Sequence, residues 1–248
     1  VRWFALVVVL AGCDRFLKLD EVTAPDARPD APPVIVCKKQ IPAPFFCADF
    51  DDPSAPAYID GVVLPLPTPV PAGITAMPQP PGFSPDNALW VDTGADTPNN
   101  DYTFELSSPR LAPTMHTELD LNVDHYDTAY STEIVELGLV PVGAPTPPCH
   151  AQLQLDSTGL RLRPRYCPNT AQPVVVFPVV PTQQWIHLSF DVDITLGQAT
   201  ATYGLNTATV QLGTNAVGGN PYIAVGVFHV QNGSGPKVGF DDIVATLP

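Results

Sequence analysis

The sequence predicts an all-β fold, a sandwich or barrel of short strands, and three observations carry that prediction. Apolar and polar residues alternate with a period of two in several runs, helical periodicity is missing, and clusters of Gly, Pro, Asn and Asp punctuate the runs. Strict alternation marks a sheet with one buried and one wet face. Many short strands separated by such turn clusters mark a sandwich or barrel.

The alternation is clearest in three segments. Tyr102, Phe104 and Leu106 alternate with Thr103, Glu105 and Ser107. Over residues 117–124, Leu119, Leu121 and Val123 share one face, with Glu118, Asp120, Asn122 and Asp124 on the other. Over residues 185–194, Ile186, Leu188 and Phe190 oppose Trp185, His187, Ser189 and Asp191. Turn clusters such as Asp96-Thr97-Pro98-Asn99-Asn100 and Gly218-Gly219-Asn220-Pro221 lie between runs, and 31 prolines exclude long helices while protecting edge strands.

The first residues follow another pattern. Arg2 gives a positive start and Trp3 to Leu10 form an unbroken apolar run. That run is too short to span a bilayer as a helix, which needs roughly 20 apolar residues, and has the size of a signal-peptide core. Leu10-Ala11-Gly12-Cys13 resembles the lipobox of bacterial lipoproteins, with Val1 standing for an alternative start codon. The resemblance implies cleavage before Cys13, so that residues 1–12 are a signal peptide, and diacylglycerol on the Cys13 thiol. It also implies several acyl chains, which together anchor stably where one binds only marginally. The expected location is the bacterial cell envelope, lipid-anchored in the outer membrane. Asp14 follows the cysteine, a signal for inner-membrane retention in some enteric bacteria that does not hold across all bacteria.

From Asp14 to Pro33, within residues 13–36, the chain is rich in Asp, Ala and Pro with few large apolar side chains to offset ordering entropy, and proline favours extended chain. Residues 13–36 read as a flexible tether before one domain over 37–248. The formal net charge of −14 argues against nucleic acid and anionic lipid surfaces, and also serves solubility.

Beyond Cys13 four cysteines remain, an even number that suits disulfides in an exported domain. Two local pairs are expected. Cys37 and Cys47 would close a short loop at the domain's start. Cys149 and Cys167 bracket a hairpin of 151–155 and 160–166, with Gly159 suited to a left-handed turn position. A three-residue loop sets the cysteines opposite each other but pairs leucines with Arg161 and Arg163. A four-residue loop pairs Leu153 with Leu162 and Leu155 with Leu160 but leaves the cysteines one residue out, so that a bulge near Pro164 is needed to satisfy both. Zinc is the rival reading, without a Cys-x-x-Cys or His-Cys spacing to support it.

A wider resemblance rests on the order of several short motifs. The domain opens with Phe46-Cys47-Ala48-Asp49-Phe50-Asp51-Asp52 and closes with Val238-Gly239-Phe240-Asp241-Asp242-Ile243-Val244. Between them come Ser84-Pro85-Asp86-Asn87-Ala88-Leu89-Trp90-Val91 and Trp185-Ile186-His187-Leu188, leading into Asp191-Val192-Asp193. This order resembles the concanavalin A-like lectin/glucanase domain of bacterial lipoproteins. The resemblance implies a two-sheet antiparallel jelly-roll sandwich whose first and last strands lie side by side.

Three kinds of chemistry follow from it. The first is a structural calcium, since relatives of the fold often bind one near the terminal strands. Asp49, Asp51 and Asp241 could supply oxygens, with Asp52 or Asp242 as alternates, although turns favour Asp on their own account. The second is catalysis. Glucanases of the fold carry a motif close to Glu-Ile-Asp-Ile-Glu, and this chain reads Glu118-Leu119-Asp120-Leu121-Asn122. Glu118 and Asp120 match the nucleophile and helper, but Asn122 stands where the acid/base belongs and cannot protonate a leaving oxygen. The third is sugar binding by Trp185, His187, Glu118, Asp120 and Asn122, which would adjoin if their strands neighbour. Trp185, and likewise Trp90, can instead cap the core.

No Gly-x-Ser-x-Gly, phosphate loop or nucleotide fingerprint appears. The expectation is a non-catalytic binding module for carbohydrate or another envelope component. A polysaccharide-cleaving enzyme and a structural or adhesive envelope protein are the alternatives.

Overall fold

The computed structural model describes Cys37 and residues 44–248, apart from 53, 73, 84–86, 95–100, 128–130, 145–147, 169–174, 178–180, 214–215 and 229–234. The lipobox with Cys13, the tether, the Asp96–Asn100 turn and Ser84-Pro85-Asp86 therefore lie outside the described residues.

Sixteen strands are described. They are β1 (Phe46–Ala48), β2 (Ala57–Ile59), β3 (Val62–Leu64), β4 (Thr75–Gln79), β5 (Ala88–Asp92), β6 (Tyr102–Ser107), β7 (Thr114–His125) and β8 (Thr132–Val140), followed by β9 (His150–Asp156), β10 (Gly159–Arg165), β11 (Val175–Val176), β12 (Trp185–Asp193), β13 (Gln198–Tyr203), β14 (Asn206–Gln211), β15 (Asn220–Phe228) and β16 (Lys237–Thr246). No α-helix occurs among the described residues. The first sheet runs β14-β13-β12-β7-β16-β1-β2-β3, with β5 also paired to β16 and β4 to β5, and the second runs β11-β10-β9-β8-β15-β6. All strand pairings are antiparallel. Of the sandwich or barrel expected from the alternation, the fold is the two-sheet sandwich that the resemblance implies.

The predicted faces hold. In β7 and β12 the residues Leu119, Leu121, Val123, Leu188, Phe190 and Val192 are buried. They join one hydrophobic cluster with Val135, Leu137, Ile223 and Val225 of the second sheet. Burial of such side chains stabilises by roughly 1.5–3 kcal/mol each, and this alternation commits the opposite face of β7 and β12 to the outside.

The terminal strands pair as expected: Ala48 lies opposite Ile243 and Phe46 opposite Ala245. Both expected disulfides, Cys37–Cys47 and Cys149–Cys167, are formed. The hairpin takes the register that pairs Leu153 with Leu162 and Leu155 with Leu160, and its ladder closes to Asp156 opposite Gly159. The expected bulge near Pro164 does not form; Pro164 pairs regularly with Ala151 and Arg165 with His150. The offset between the cysteines is taken up just past the ladder, where Tyr166 has a φ of 53° and turns Cys167 back toward Cys149.

Candidate functional site

The outward face of β7 and β12 gathers the predicted binding residues in rows. The register sets Trp185 opposite Asn122, His187 opposite Asp120, Ser189 opposite Glu118 and Asp191 opposite His116. On the other side of β7, Gly239 lies opposite Asn122 and Asp241 opposite Asp120, and Gly239 also lies opposite Trp90 of β5. One row therefore reads Trp185, Asn122, Gly239, Trp90 across four strands. From Trp185 to Asp191 the face extends about 20 Å at the rise of a strand, a track suited to an oligosaccharide.

The top row is aromatic. The Trp185 ring meets Trp90 edge-on at 5.7 Å between centroids and Phe83 at 6.4 Å. Trp185 is half-buried, so it neither caps the core nor stands alone in water. Gly239 makes this possible: a Cβ there would lie 3.0 Å from Trp90 Cε2 and Cζ2 and 3.1 Å from Trp185 Cη2. Lys237 sits over the Trp90 ring at 5.3 Å. Beside the row lies a cleft of ≈ 190 Å³ lined by Pro81, Trp90, Asn122, Asp124, Gln183 and Lys237 among others. A second cleft, of ≈ 650 Å³, closes the far end of the track around His116, Asp191 and Gln198.

Charge along the track is organised by histidine. His187 Nδ1 lies 3.1 Å from Asp120 Oδ1 while the imidazole stays 56% exposed, which orients the ring and leaves Nε2 outward. His116 bridges Asp191 at 2.8 Å and Glu118 at 3.3 Å. Desolvation opposes the His116 charge, but the hydrogen bonds to Asp191 and Glu118 prevail and raise its pKa. Asp120 is different. Its burial raises the carboxyl pKa above the ordinary range, His187 pulls it down, and Glu118 pushes it up again.

A raised pKa means that the folded chain holds the Asp120 proton more tightly than the unfolded chain. The associated stability is full below the ordinary aspartate range and is lost as pH rises through the folded value. At neutral pH the Asp120 carboxylate therefore weighs against the fold. The variant Asp120→Asn is expected to melt higher than the wild type at pH 7, with the advantage vanishing on acidification. Thermal melts at the two pH values check this, and a lower melting temperature at pH 7 would refute it.

The aspartates at the terminal strands hold main chain. Asp241 Oδ2 accepts the Phe83 N–H at 2.7 Å and its Oδ1 that of Asp242 at 2.9 Å, while Asp51 accepts from Asn87 at 3.1 Å and Asp49 from Cys37 at 3.4 Å. Asp52 bonds the amide and hydroxyl of Ser54 in a local turn. Among the described residues no three His, Cys, Asp or Glu side chains group closely enough to hold a metal ion. Asp49, Asp51 and Asp241 therefore do not by themselves form the carboxylate set expected for calcium.

Sequence reasoning missed the partners of the row. His116 continues the alternating wet face of β7 two residues before Glu118 and could have been found that way. Gly239 carried one signal, since a glycine inside a strand often marks a close approach. Phe83 and Lys237 carried none.

No family model matches the chain, and no curated protein matches it. Similar solved structures include a cellulose-induced protein, Cip1, with a TM-score of 0.56 and 15% identity over 81% of this chain and 96% of that one. An alginate lyase of polysaccharide lyase family 7, A1-II', has a TM-score of 0.49 and 12% identity over 82% and 94%. A sialidase has a TM-score of 0.49 and 8% identity; 71% of this chain is covered, but it spans only 16% of that protein. The likeness to Cip1 shows the fold: the chain is a two-sheet jelly-roll protein with a polar, aromatic-headed track on one sheet.

Proposed function

We propose that the chain is a carbohydrate-binding module that uses the outward face of β7 and β12. The observation that carries this is the row Trp185, Asn122, Gly239, Trp90, a half-exposed indole backed by the buried Trp90 and beside a buried amide, continued by His187–Asp120 and Ser189–Glu118. An aromatic surface stacks on the apolar faces of a sugar ring, while amides and carboxylates take its hydroxyls. Titration calorimetry against a panel of oligosaccharides tests it. At least one glycan should bind, and Trp185→Ala should weaken it by about tenfold, the ratio that roughly 1.4 kcal/mol of lost contact produces. A panel without binding, or full affinity in the Trp185→Ala variant, would sink the proposal.

One observation favours a second reading, polysaccharide cleavage: the His187–Asp120 pair holds an exposed imidazole on the same track, and such a pair can move a proton. Release of new chain ends, abolished in His187→Asn, would select this reading; its absence leaves the binding module.

Anchorage through a lipid on Cys13, in the outer membrane of a bacterial cell envelope, belongs to the same proposal and rests on the lipobox resemblance. A calcium ion at the Asp49, Asp51 and Asp241 end rests on the concanavalin A-like resemblance, and it would complete its shell with main-chain carbonyls. Mass spectrometry of protein taken from membranes checks both, the acyl mass under denaturing conditions and the calcium under native ones. An unmodified Cys13 refutes the anchor, and a metal-free native mass refutes the calcium. A structural or adhesive role without a small ligand is what an empty glycan panel would leave.

A further inference from the structure

Two exposed carboxylates and one unmet acceptor mark the track, and this bears on which glycan it takes. Asn122, 5% exposed, is among the residues that line the ≈ 190 Å³ cleft, and its Oδ1 is buried beneath them without a hydrogen-bond partner. Leaving a buried acceptor unmet is unfavourable unless a ligand or water supplies a donor. Several donors near it are already engaged among the described residues. Trp90 Nε1–H donates to Pro81 O at 3.2 Å, Lys237 Nζ reaches Asp124 Oδ2 at 3.8 Å, and the Gln183 side chain also bonds Asp124. Farther along, His187 is held by Asp120, and His116 by Glu118 and Asp191. Glu118 and Asp191 remain 47% and 62% exposed, so the track presents carboxylates to whatever binds.

We infer that the row at Asn122 and the track beyond it select a glycan by its hydroxyl and amine donors and exclude polyuronates. The inference rests on the carbohydrate-binding reading and names the class of sugar. A uronate brings further acceptors to a face whose unmet polar group is itself an acceptor, and its carboxylates would meet the exposed Glu118 and Asp191 as like charges. A sugar hydroxyl supplies the donor that Asn122 Oδ1 lacks. A protonated amino group supplies more N–H donors and a charge of the opposite sign.

The test is calorimetry with length-matched oligosaccharides of three kinds: glucosamine polymers with free amines, neutral β-glucans, and alginate or polygalacturonate. Amine-bearing chains should bind at least as tightly as neutral ones, and polyuronates about tenfold or more weaker, the gap narrowing at high salt as screening sets in. In the double variant Glu118→Gln, Asp191→Asn the polyuronate penalty should shrink. Because the whole chain carries a net charge of −14, unspecific attraction of polyamines needs its own control. Asn122→Ala keeps every charge and should lose most of the affinity for the amine-bearing chain. Polyuronate binding equal to or tighter than the others, or undiminished binding in Asn122→Ala, overturns the inference and leaves the binding module standing. Binding of none of the three overturns the module itself.

Discussion

Gly226→Ala is expected to lose about 3 kcal/mol of stability or more, lowering the melting temperature by roughly 6–12 °C in a domain of this size. Gly226 lies in β15, between β8 and β6 in the second sheet. Its φ is +144°, a conformation that L side chains seldom adopt. A Cβ there would stand 2.1 Å from the Tyr102 carbonyl oxygen and 3.1 Å from Thr103 Cα. These are main-chain atoms of the neighbouring strand, where Gly226 pairs with Thr103, so no rotamer change relieves the contact. The register to β8 also shifts between Val225 and Phe228, the mark of a bulge, and glycine lets the strand pass through it. Separating the strands would loosen the packing of Val225 and Val227, both fully buried. A variant that melts with the wild type would show that β6 and β15 can part without loss, and would refute this account.

That glycine was not legible in the sequence, and the reason is physical. The first sheet declared itself because β7 and β12 carry polar residues at every second position of their outward face, exposed at Glu118 and His187 and covered at Asp120 and Asn122. β8 and β15 are buried almost throughout, and a strand buried on both faces loses the alternation that identifies it. The outer side of the second sheet is covered by a polar network instead: Gln152 Nε2 and the Tyr222 hydroxyl donate to Glu136, and His150 lies 3.2 Å from the same carboxylate. The Cys149–Cys167 hairpin shows the converse. There the leucine pairs decided the register over the alignment of the cysteines, as expected where Leu153, Leu155, Leu160 and Leu162 are at most 1% exposed. The displacement of the sulfurs was absorbed by one left-handed residue, Tyr166, which nothing in the sequence marks. For the candidate site, the composition of each strand's wet face was legible, but the neighbour relation of β7 and β12 depends on pairing distant in sequence. Hence Trp185, His187, Glu118, Asp120 and Asn122 were found as members, while Trp90 stayed open between core and site; it is in fact buried, at 5% exposed, and backs the Trp185 ring.

The residue on which the row turns has no side chain, and Gly239→Val is expected to abolish glycan binding, weakening it by about a hundredfold, while the sandwich still forms. Valine suits a strand better than glycine does, so backbone preference works in the variant's favour. Its two γ-methyls would extend from a Cβ that already stands 3.0–3.1 Å from both indole rings. Overpacking of that kind costs about 1–3 kcal/mol and is relieved by moving side chains. The movable ones are Trp90, which donates to Pro81 O, and Trp185, which Phe83 also contacts. Displacing them separates the platform from Asn122 and opens the ≈ 190 Å³ cleft that Trp90 and Asn122 line together. Gly239→Ala, whose single methyl needs the rings to give only a few tenths of an ångström, should fall between wild type and valine. Near-ultraviolet circular dichroism should change with the indole environment in both variants, while the far-ultraviolet spectrum is retained. Calorimetry then decides: if Gly239→Val binds as the wild type does, the two tryptophans are packing residues of the first sheet and the sugar site lies elsewhere.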